Sequence, residues 1–413
     1  MSNFSLSEHL TRFQTSDKKT FPPVENASKE LNTVIDRLAI SPGEIDADYE
    51  ILESLIDLSQ SFPHLNTKLQ TQLSYLVSSS LGNLAQEINS NLSGNASNED
   101  IISCIPQWKA HLEEYGYLSH VILSFLQDDV STTASQSTSS SMSRTNGKRQ
   151  GADSAVDLFK RSCTQIENFL EMINKVLDIN LSKIFQTTPE KDLFIGLFTR
   201  PLYVLIETEQ ATKVQSLKFL ILRVIATSVK NHGQGSSAQN AIMTNLTYFM
   251  HLTNFNAELL KMINDDFDYP QLTEDVLRDI SKKEFNSKDT TGPKAISNFL
   301  VRLSELIPRI VLRQMTLVVK LLNNSSFTLR CAVVEACGNI IVEISRDRQE
   351  LEHYKNQIEV LLELLEERFT DSNPYVRTKA IQGILKICDL RTKFNKNRIN
   401  FVKLSVRSLQ DRS

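Results

Sequence analysis

Glycine and proline are scarce. The chain carries 12 and 11 of them in 413 residues, roughly 3% each against averages of about 7% and 5%. So few turn-formers exclude a fold of many short strands and predict long elements. Cysteine is sparse too. Cys104, Cys163, Cys331, Cys337 and Cys388 form no CxxC pair, which removes the usual thiolate zinc site. Each stands in or beside an apolar helical run, so buried, reduced thiols are expected. Long hydrophobic runs are missing. The longest, Leu217 to Val229, is interrupted by Lys218, Arg223 and Ser228, too short and too charged to span a bilayer. The opening MSNFSLSEHL has neither the basic nor the apolar segment of a secretion signal. A net charge of −4 provides no global basic field, so any nucleic-acid contact must come from a local patch. These absences predict a soluble protein of a reducing compartment, cytosol or nucleus, with no membrane contact.

What is present is helical periodicity. Residues 1–26 read as mixed, with a loop at Phe21-Pro22-Pro23. From about 27 to 127, Ile51, Leu52, Leu55, Ile56 and Leu58, then Leu69, Leu73 and Leu76, recur at three- and four-residue steps. Breaks fall between these runs, at Ser41-Pro42-Gly43 and Phe62-Pro63. Residues 130–155 are Ser/Thr-rich with almost nothing to bury, which predicts disorder; the segment reads as a phosphorylation target or as a passive linker. Helical pattern resumes beyond it, and residues 215–229 are apolar on nearly all faces, as for a helix buried between neighbours. No alternating strand and no βαβ rhythm occurs. The expected organisation is an N-terminal helical region over 1–129, a disordered loop over 130–155, a helical region over 156–290 continuing the array, and helical repeats over 291–413.

Self-similarity carries the fold assignment. Leu321 to Arg330 matches Arg368 to Arg377, 47 positions later. Each copy has an amphipathic helix, a polar break, and a second helix opening with aliphatic-Arg. The second helices carry apolar stripes, Leu329, Val333, Cys337, Ile340, Ile341 and Ile344 in one, Val376, Ala380, Ile384, Ile387 and Cys388 in the other. Asn373 suits a helix cap and Pro374 the first helical position. Asn324 to Arg330 and Asp371 to Arg377 are both six-residue steps. That spacing resembles the HEAT repeat, in which a turn acid or amide and an Arg early in the second helix link neighbouring repeats. Asn324, Arg330, Asp371 and Arg377 are thus the repeat-structural candidates, Asn324 departing from the acid of the pattern. The fold class expected is all-α, a HEAT-like helical repeat solenoid forming an α-α superhelix. A third copy opens at Leu409-Gln410-Asp411, 40 residues after Asp371, and the chain stops at Ser413 inside that turn. A repeat does not bury its face alone, so a fragment, or a cover over that edge, is expected.

Catalytic patterns are missing. His232-Gly233-Gln234-Gly235-Ser236 lacks the Lys and the preceding strand of a phosphate loop. The seven histidines form no HExxH and none pairs with cysteine at zinc spacing; GxSxG does not occur. Asp265, Asp266 and Asp268 read as a solvated helix end. Glu359, Glu363, Glu366 and Glu367 read as a solvated helix face. No catalytic, cofactor-binding or metal residue is assigned, no cofactor is expected, and the chain is read as a non-enzyme. Charge asymmetry is more informative. Residues 377–413 hold ten basic residues against Asp389 and Asp411. Lys379, Lys386, Arg391, Lys393, Lys396 and Arg398 are the candidates for contact with double-stranded DNA phosphates, the 391–398 loop foremost; the other reading is a solvated face. Phe394 and Phe401 are too few aromatics for single-strand stacking. Arg302, Arg309 and Arg313 are candidates for holding an acidic partner segment, or else pair with Glu305 and neighbouring helices.

One resemblance is more specific. Phe299-Leu300-Val301-Arg302-Leu303-Ser304-Glu305-Leu306-Ile307-Pro308 is similar to the stretch before the first well-formed repeats of the condensin subunit 1 family. The Leu329-Arg330 repeat with Ala336-Cys337-Gly338-Asn339 follows, then Asn373-Pro374-Tyr375-Val376-Arg377, then Phe401-Val402 through Ser413. The similarity is read over about 291–413; residues 1–290 agree only in being helical and in their placement. It implies a HEAT scaffold of the condensin complex that binds a kleisin and SMC subunits. It also implies possible contact with DNA or with a short motif of a chromosome-bound regulator, and mitotic chromosome condensation as the process. The localisation implied is nucleus and chromosome, with cytoplasm for part of the cell cycle. In that family the ATPase belongs to the SMC subunits. The competing reading is a HEAT/armadillo-type adaptor in transport or phosphatase scaffolding.

Overall fold

The computed structural model describes residues 4–18, 20–39, 41–45, 49–94, 98–140, 149–285, 291–388, 401–403 and 406. Every regular element among the described residues is helical. The chain divides into two units, Met1–Gln234 and Gly235–Ser413. The division thus falls inside the span 156–290, not at its end.

The first unit holds α1 (Leu6–Thr15), α2 (Ala27–Leu38), α3 (Tyr49–Gln60), α4 (Thr67–Ser93) and α5 (Asn98–Ser140). It continues with α6 (Arg149–Leu177), α7 (Thr188–Leu205), α8 (Glu209–Lys213) and α9 (Gln215–His232). Helix α5 is its spine and packs against α1, α3, α4, α6 and α7. Its Leu112, Leu118, Val121, Ile122 and Val130 are buried on several of its faces, and α6, packed against it, buries the stripe Ile166, Phe169, Ile173 and Val176, the three- and four-residue step of an amphipathic helix. Close approach is built in at Gly116, where a Cβ would lie 2.8 Å from the Phe194 ring of α7. Caps follow expected chemistry. Asn66 Oδ1 accepts the Leu69 N–H at 3.0 Å to start α4, and Gly233, at φ 74°, ends α9 in the left-handed region open to glycine.

Two expectations change here. Residues 6–15, within the stretch read as mixed, form α1, whose Leu6, Leu10 and Phe13 are buried. Phe13 meets the rings of Tyr117, His120 and Phe125 edge-on at 6.5, 6.0 and 6.0 Å. Ring contacts with α5 thus anchor a helix too short to stand alone. The second change concerns the Ser/Thr-rich segment. Residues 130–140 continue α5 and residues 149–155 begin α6, contrary to the disorder expected from composition; 141–148 lie outside the described residues. Val130, Thr133 and Ala134 keep a buried edge on α5. Three hydroxyls of this stretch are paired. Thr133 donates to the Asp129 carbonyl at 2.7 Å and Ser135 to that of Ser131 at 2.9 Å, while Ser131 and Thr208 pair at 3.0 Å.

The second unit holds α10 (Gly235–Tyr248), α11 (Thr253–Asp265), α12 (Gln271–Lys282), α13 (Thr291–Leu306) and α14 (Pro308–Arg313). It ends with α15 (Met315–Val318), α16 (Phe327–Arg346), α17 (Arg348–His353), α18 (Lys355–Glu367) and α19 (Pro374–Cys388). Helices α13, α16 and α19 lie side by side in that order, and α14 and α18 also pack on α16. The two helix pairs read from the repeat are therefore α14–α15 with α16, and α18 with α19. All six apolar positions read for α16 are buried, as are Val376, Ala380, Ile384 and Ile387 of α19. The α16–α19 crossing is tight, since a Cβ on Gly338 would sit 3.2 Å from Gly383 Cα.

Candidate functional site

The repeat-structural residues come together at the turns before α16 and α19. Arg330 Nη2 and Nε donate to the two carboxylate oxygens of Asp371 at 3.1 and 3.2 Å, a two-point bond from one repeat to the next. Arg330 Nη1 also donates to the Asn324 and Ser325 carbonyls at 3.0 and 3.3 Å. Arg377 repeats this within its own repeat, to Asp371 O at 2.8 Å and Ser372 O at 3.3 Å. The two turns match in a further bond. Asn324 Oδ1 accepts the Ser326 N–H at 3.0 Å, and Asp371 Oδ1 accepts the Asn373 N–H at 2.9 Å. An amide thus serves the local turn as well as an acid does. Asn373 Oδ1 accepts the Tyr375 N–H at 2.9 Å at the start of α19. Burial alone would raise the Asp371 carboxyl. The bonds from Arg330 and from the Asn373 N–H, with the charges of Arg330 and Arg368, outweigh it and hold the group below the usual carboxylate range.

Helices α13, α16 and α19 present a shared open face. Two hollows of about 450 and 260 Å³ lie on it and have Glu335, Lys379 and Gln382 in common, so together they make one trough across the three helices. Phe327 and Tyr375 sit at one wall, 38% and 65% exposed, with rings stacked at 5.6 Å and 25°. Asn339, buried on α16, ties that helix to both neighbours. Its Nδ2 donates to Ser304 Oγ of α13 at 3.3 Å, and its Oδ1 accepts from Lys386 Nζ of α19 at 3.3 Å. Neither the trough nor its aromatic pair follows from repeat spacing. The usable signal is an aromatic at the opening of each second helix, three residues before Arg330 and two before Arg377.

The basic candidates divide. Lys379 bonds Glu335 at 2.7 Å and Lys386 bonds Asn339, so both are engaged within the array. Arg391, Lys393, Lys396 and Arg398 lie outside the described residues. Arg302 pairs with Glu305 at 3.0 Å on its own helix, and Arg309 pairs with Glu350 across to α17. Arg313 is not brought into a shared site with them by any bond of these two.

Chemistry elsewhere is subdued. Of the five thiols only Cys163 and Cys337 are buried; Cys104, Cys331 and Cys388 are half-buried, a correction to the expectation of five buried side chains. Burial pushes the Cys163 and Cys337 thiols up to about 12, far from the thiolate that a nucleophile or metal ligand requires. Among the described residues no group of His, Cys, Asp and Glu is placed to hold a metal ion, and no helix is long and apolar enough to cross a membrane. A smaller cavity of about 190 Å³ in the first unit is bounded by Phe4, His9, Arg12, Glu53, Asp57 and Tyr117. There burial, then the Glu53 charge, raises the Asp57 carboxyl against the opposing pull of Arg12.

Comparison with known proteins gives a consistent result. The family model described as non-SMC mitotic condensation complex subunit 1, N-term, matches residues 67–238. Condensin complex subunit 1 of Saccharomyces cerevisiae is 65% identical over 100% of this chain and 35% of its own length. The Schizosaccharomyces pombe protein of the same name is 30% identical over 99% of this chain and 35% of its own length. The chain thus spans about a third of the length of these curated relatives. Similarity runs far beyond the 291–413 stretch on which the resemblance was read. Among solved structures, that of a Kap121p mutant matches with a TM-score of 0.31 and 12% identity over 100% of this chain and 45% of the other.

Proposed function

We propose that this chain, which belongs to the condensin complex subunit 1 family, is a non-catalytic scaffold within condensin. In this reading it binds kleisin and SMC subunits and regulator peptides on its helical faces, and contacts duplex DNA through phosphates. Its process is mitotic chromosome condensation. Its place is the nucleus and the chromosome, with a cytoplasmic phase in the cell cycle. The observation that carries this is 65% identity across the whole chain to a condensin complex subunit 1. The physical support is of two kinds. The second unit holds its helices together by internal polar links, Arg330 with Asp371 and Asn339 with Ser304 and Lys386, leaving a continuous outer face free for partners, as helical repeats do. Among the described residues, Cys163 and Cys337 are buried, and Asp371 and Glu335 are paired with Arg330 and Lys379.

The DNA part of the proposal rests on the basic residues of 391–398, because Lys379 and Lys386 already have partners. The test is a pull-down of the tagged chain from mitotic extract with mass spectrometry of what is retained. Kleisin and SMC subunits are the expected recoveries. Their absence, with transport or phosphatase components in their place, overturns the scaffold assignment.

A further inference from the structure

We propose that the trough across α13, α16 and α19 docks an extended acidic segment of a partner protein, anchored by one aromatic or large aliphatic side chain. This deepens the scaffold reading and rests on it. Three observations carry the inference.

The first is shape. The trough crosses the helices instead of following one of them, so its floor is a row of helix ridges. Neighbouring helix axes lie about 8–10 Å apart. From α13 to α19 is then about 20 Å, or roughly six residues of extended chain at about 3.3 Å each. A helical ligand, about 10 Å wide, suits a groove that runs between helices; a trough across them suits an extended one.

The second is the aromatic pair. Tyr375 is 65% exposed and stacked on Phe327. Each ring is held by the other, so the pair is already ordered before anything binds. An apolar side chain laid against it buries surface without first having to organise the site. Leu385, 58% exposed, lies in the second hollow.

The third is charge. Lys294 stands exposed at the α13 end and has no carboxylate partner among the described residues. Lys379 and Lys386 lie toward α19, with Glu335 as the one carboxylate lining the trough, and Lys379 already bonds it. Lys379 is matched by Glu335 and Lys386 is held by the neutral Asn339, so the trough keeps a positive balance, carried at its open end by Lys294, that favours a negatively charged ligand. The central Glu335 and the confinement of the aromatics to one mutually stacked pair argue against a nucleic-acid strand, which is tracked by a row of cations or stacked on successive separate rings. A polypeptide with acidic residues flanking an apolar anchor matches both features.

The probe is a phage-displayed library of short random peptides, panned on the full chain. Enriched peptides are then synthesised with a fluorescent label for anisotropy. The expected result is enrichment of sequences with Asp or Glu around a Phe, Tyr, Trp or Leu. Their binding should weaken about tenfold or more in Tyr375→Ala and in Lys294→Glu, and be largely kept in Tyr375→Phe. Both variants are at exposed positions, and unchanged circular dichroism verifies their fold. Enrichment of basic or purely polar sequences, no enrichment, unchanged affinity in both variants, or displacement of the peptide by duplex DNA overturns the inference. The mitotic-extract pull-down separates this from the parent reading. If the native chain retains kleisin and SMC subunits while the peptide result fails, only the trough assignment falls. If it does not retain them, the scaffold reading falls.

Discussion

Replacing Asp371 by alanine removes the one carboxylate that joins the α16 turn to the α19 turn. Its side chain is 5% exposed and that of Arg330 is 13% exposed. Truncating one member of a buried pair costs about 3–5 kcal/mol because a charge is left without its partner. Arg330 keeps the carbonyls of Asn324 and Ser325 and some access to water, which lowers the expected loss to about 2–3 kcal/mol. The turn also loses the acceptor of the Asn373 N–H. Hydrogen exchange with mass spectrometry reads this locally. Slowly exchanging amides of α16 and α19 should exchange faster by roughly 30- to 150-fold if they open by local or sub-global unfolding. Asp371→Asn keeps an acceptor for Asn373 and should cost less, about 1–2 kcal/mol. Replacing both partners by apolar residues, Arg330→Met with Asp371→Leu, should recover most of the loss. The carboxyl is held below its usual range, so its contribution is complete above about pH 4 and fades as pH falls through the folded value. The gap between native chain and Asp371→Asn should therefore close in acid. Unchanged protection in Asp371→Ala, or a double variant as labile as the single one, refutes the assignment of this pair as an inter-repeat link.

Three further outcomes are expected. Gly338→Ala should destabilise by about 1–3 kcal/mol, since its Cβ would press on the Gly383 backbone at 3.2 Å. Gly383→Ala, with nearest atoms at 3.8–3.9 Å, should be neutral or stabilising by up to about 1 kcal/mol; equal urea midpoints for the two variants would contradict the crossing geometry. His120 and His232 are buried and donate to the Leu197 and Leu177 carbonyls, both at 2.8 Å. Burial foremost holds both imidazoles below their ordinary value. The unfolded chain therefore takes up protons first, and stability present above about pH 6.5 is lost as pH falls toward the folded values. Thermal midpoints should drop as pH falls below about 6.5, and His120→Gln should shallow the slope; a flat profile there would show that the imidazoles are not linked to folding. Finally, reversing Arg391, Lys393, Lys396 and Arg398 to Glu should lower the slope of log K against log salt for duplex DNA by up to about 3.6, at about 0.9 per lost phosphate contact. Lys379→Gln should leave that slope unchanged, and a large effect of Lys379→Gln alone would move the DNA site onto the described face.

How much was legible depended on the kind of residue. Helix content followed from the scarcity of glycine and proline and from three- and four-residue apolar steps. The α16 and α19 stripes were readable position by position, because a repeat presents the same physical problem twice. The Arg330–Asp371 bonds join two positions that the six-residue spacing had marked without saying that these two would pair, and the Asn324 amide closes its turn where the pattern has an acid. The end of α5 was misjudged because composition counts hydroxyls as solvent-seeking. Thr133 and Ser135 instead return their protons to the preceding helical turn, while Val130 and Ala134 keep one edge dry. Helix α1 escaped notice because three apolar residues over ten positions carry little periodic signal; its anchorage is a ring cluster supplied by α5, more than a hundred residues away in sequence.

The extent of the family match has a related cause. Residues 67–238, where the family model aligns, contain no short repeat motif. What specifies them is pairwise fit between distant positions. Gly116 accommodates Phe194, and Gly82 lies where a Cβ would meet Met172. Such pairs leave no spacing rule in a single chain. The 291–413 stretch was recognised instead because Arg330, Asp371, Gly338 and Asn339 hold neighbouring repeats together in a regular order. Those residues are spent on the array itself. Phe327, Tyr375 and Lys294 have the opposite character: the two aromatics stand within the repeat motif but are left exposed by the packing, and Lys294 belongs to no motif. In a helical scaffold the buried and bonded motif positions are therefore poor guides to the partner surface. The exposed residues left over by the packing are better ones, and the Tyr375→Ala comparison tests that separation directly, since it should remove peptide binding and leave the exchange protection of α19 intact.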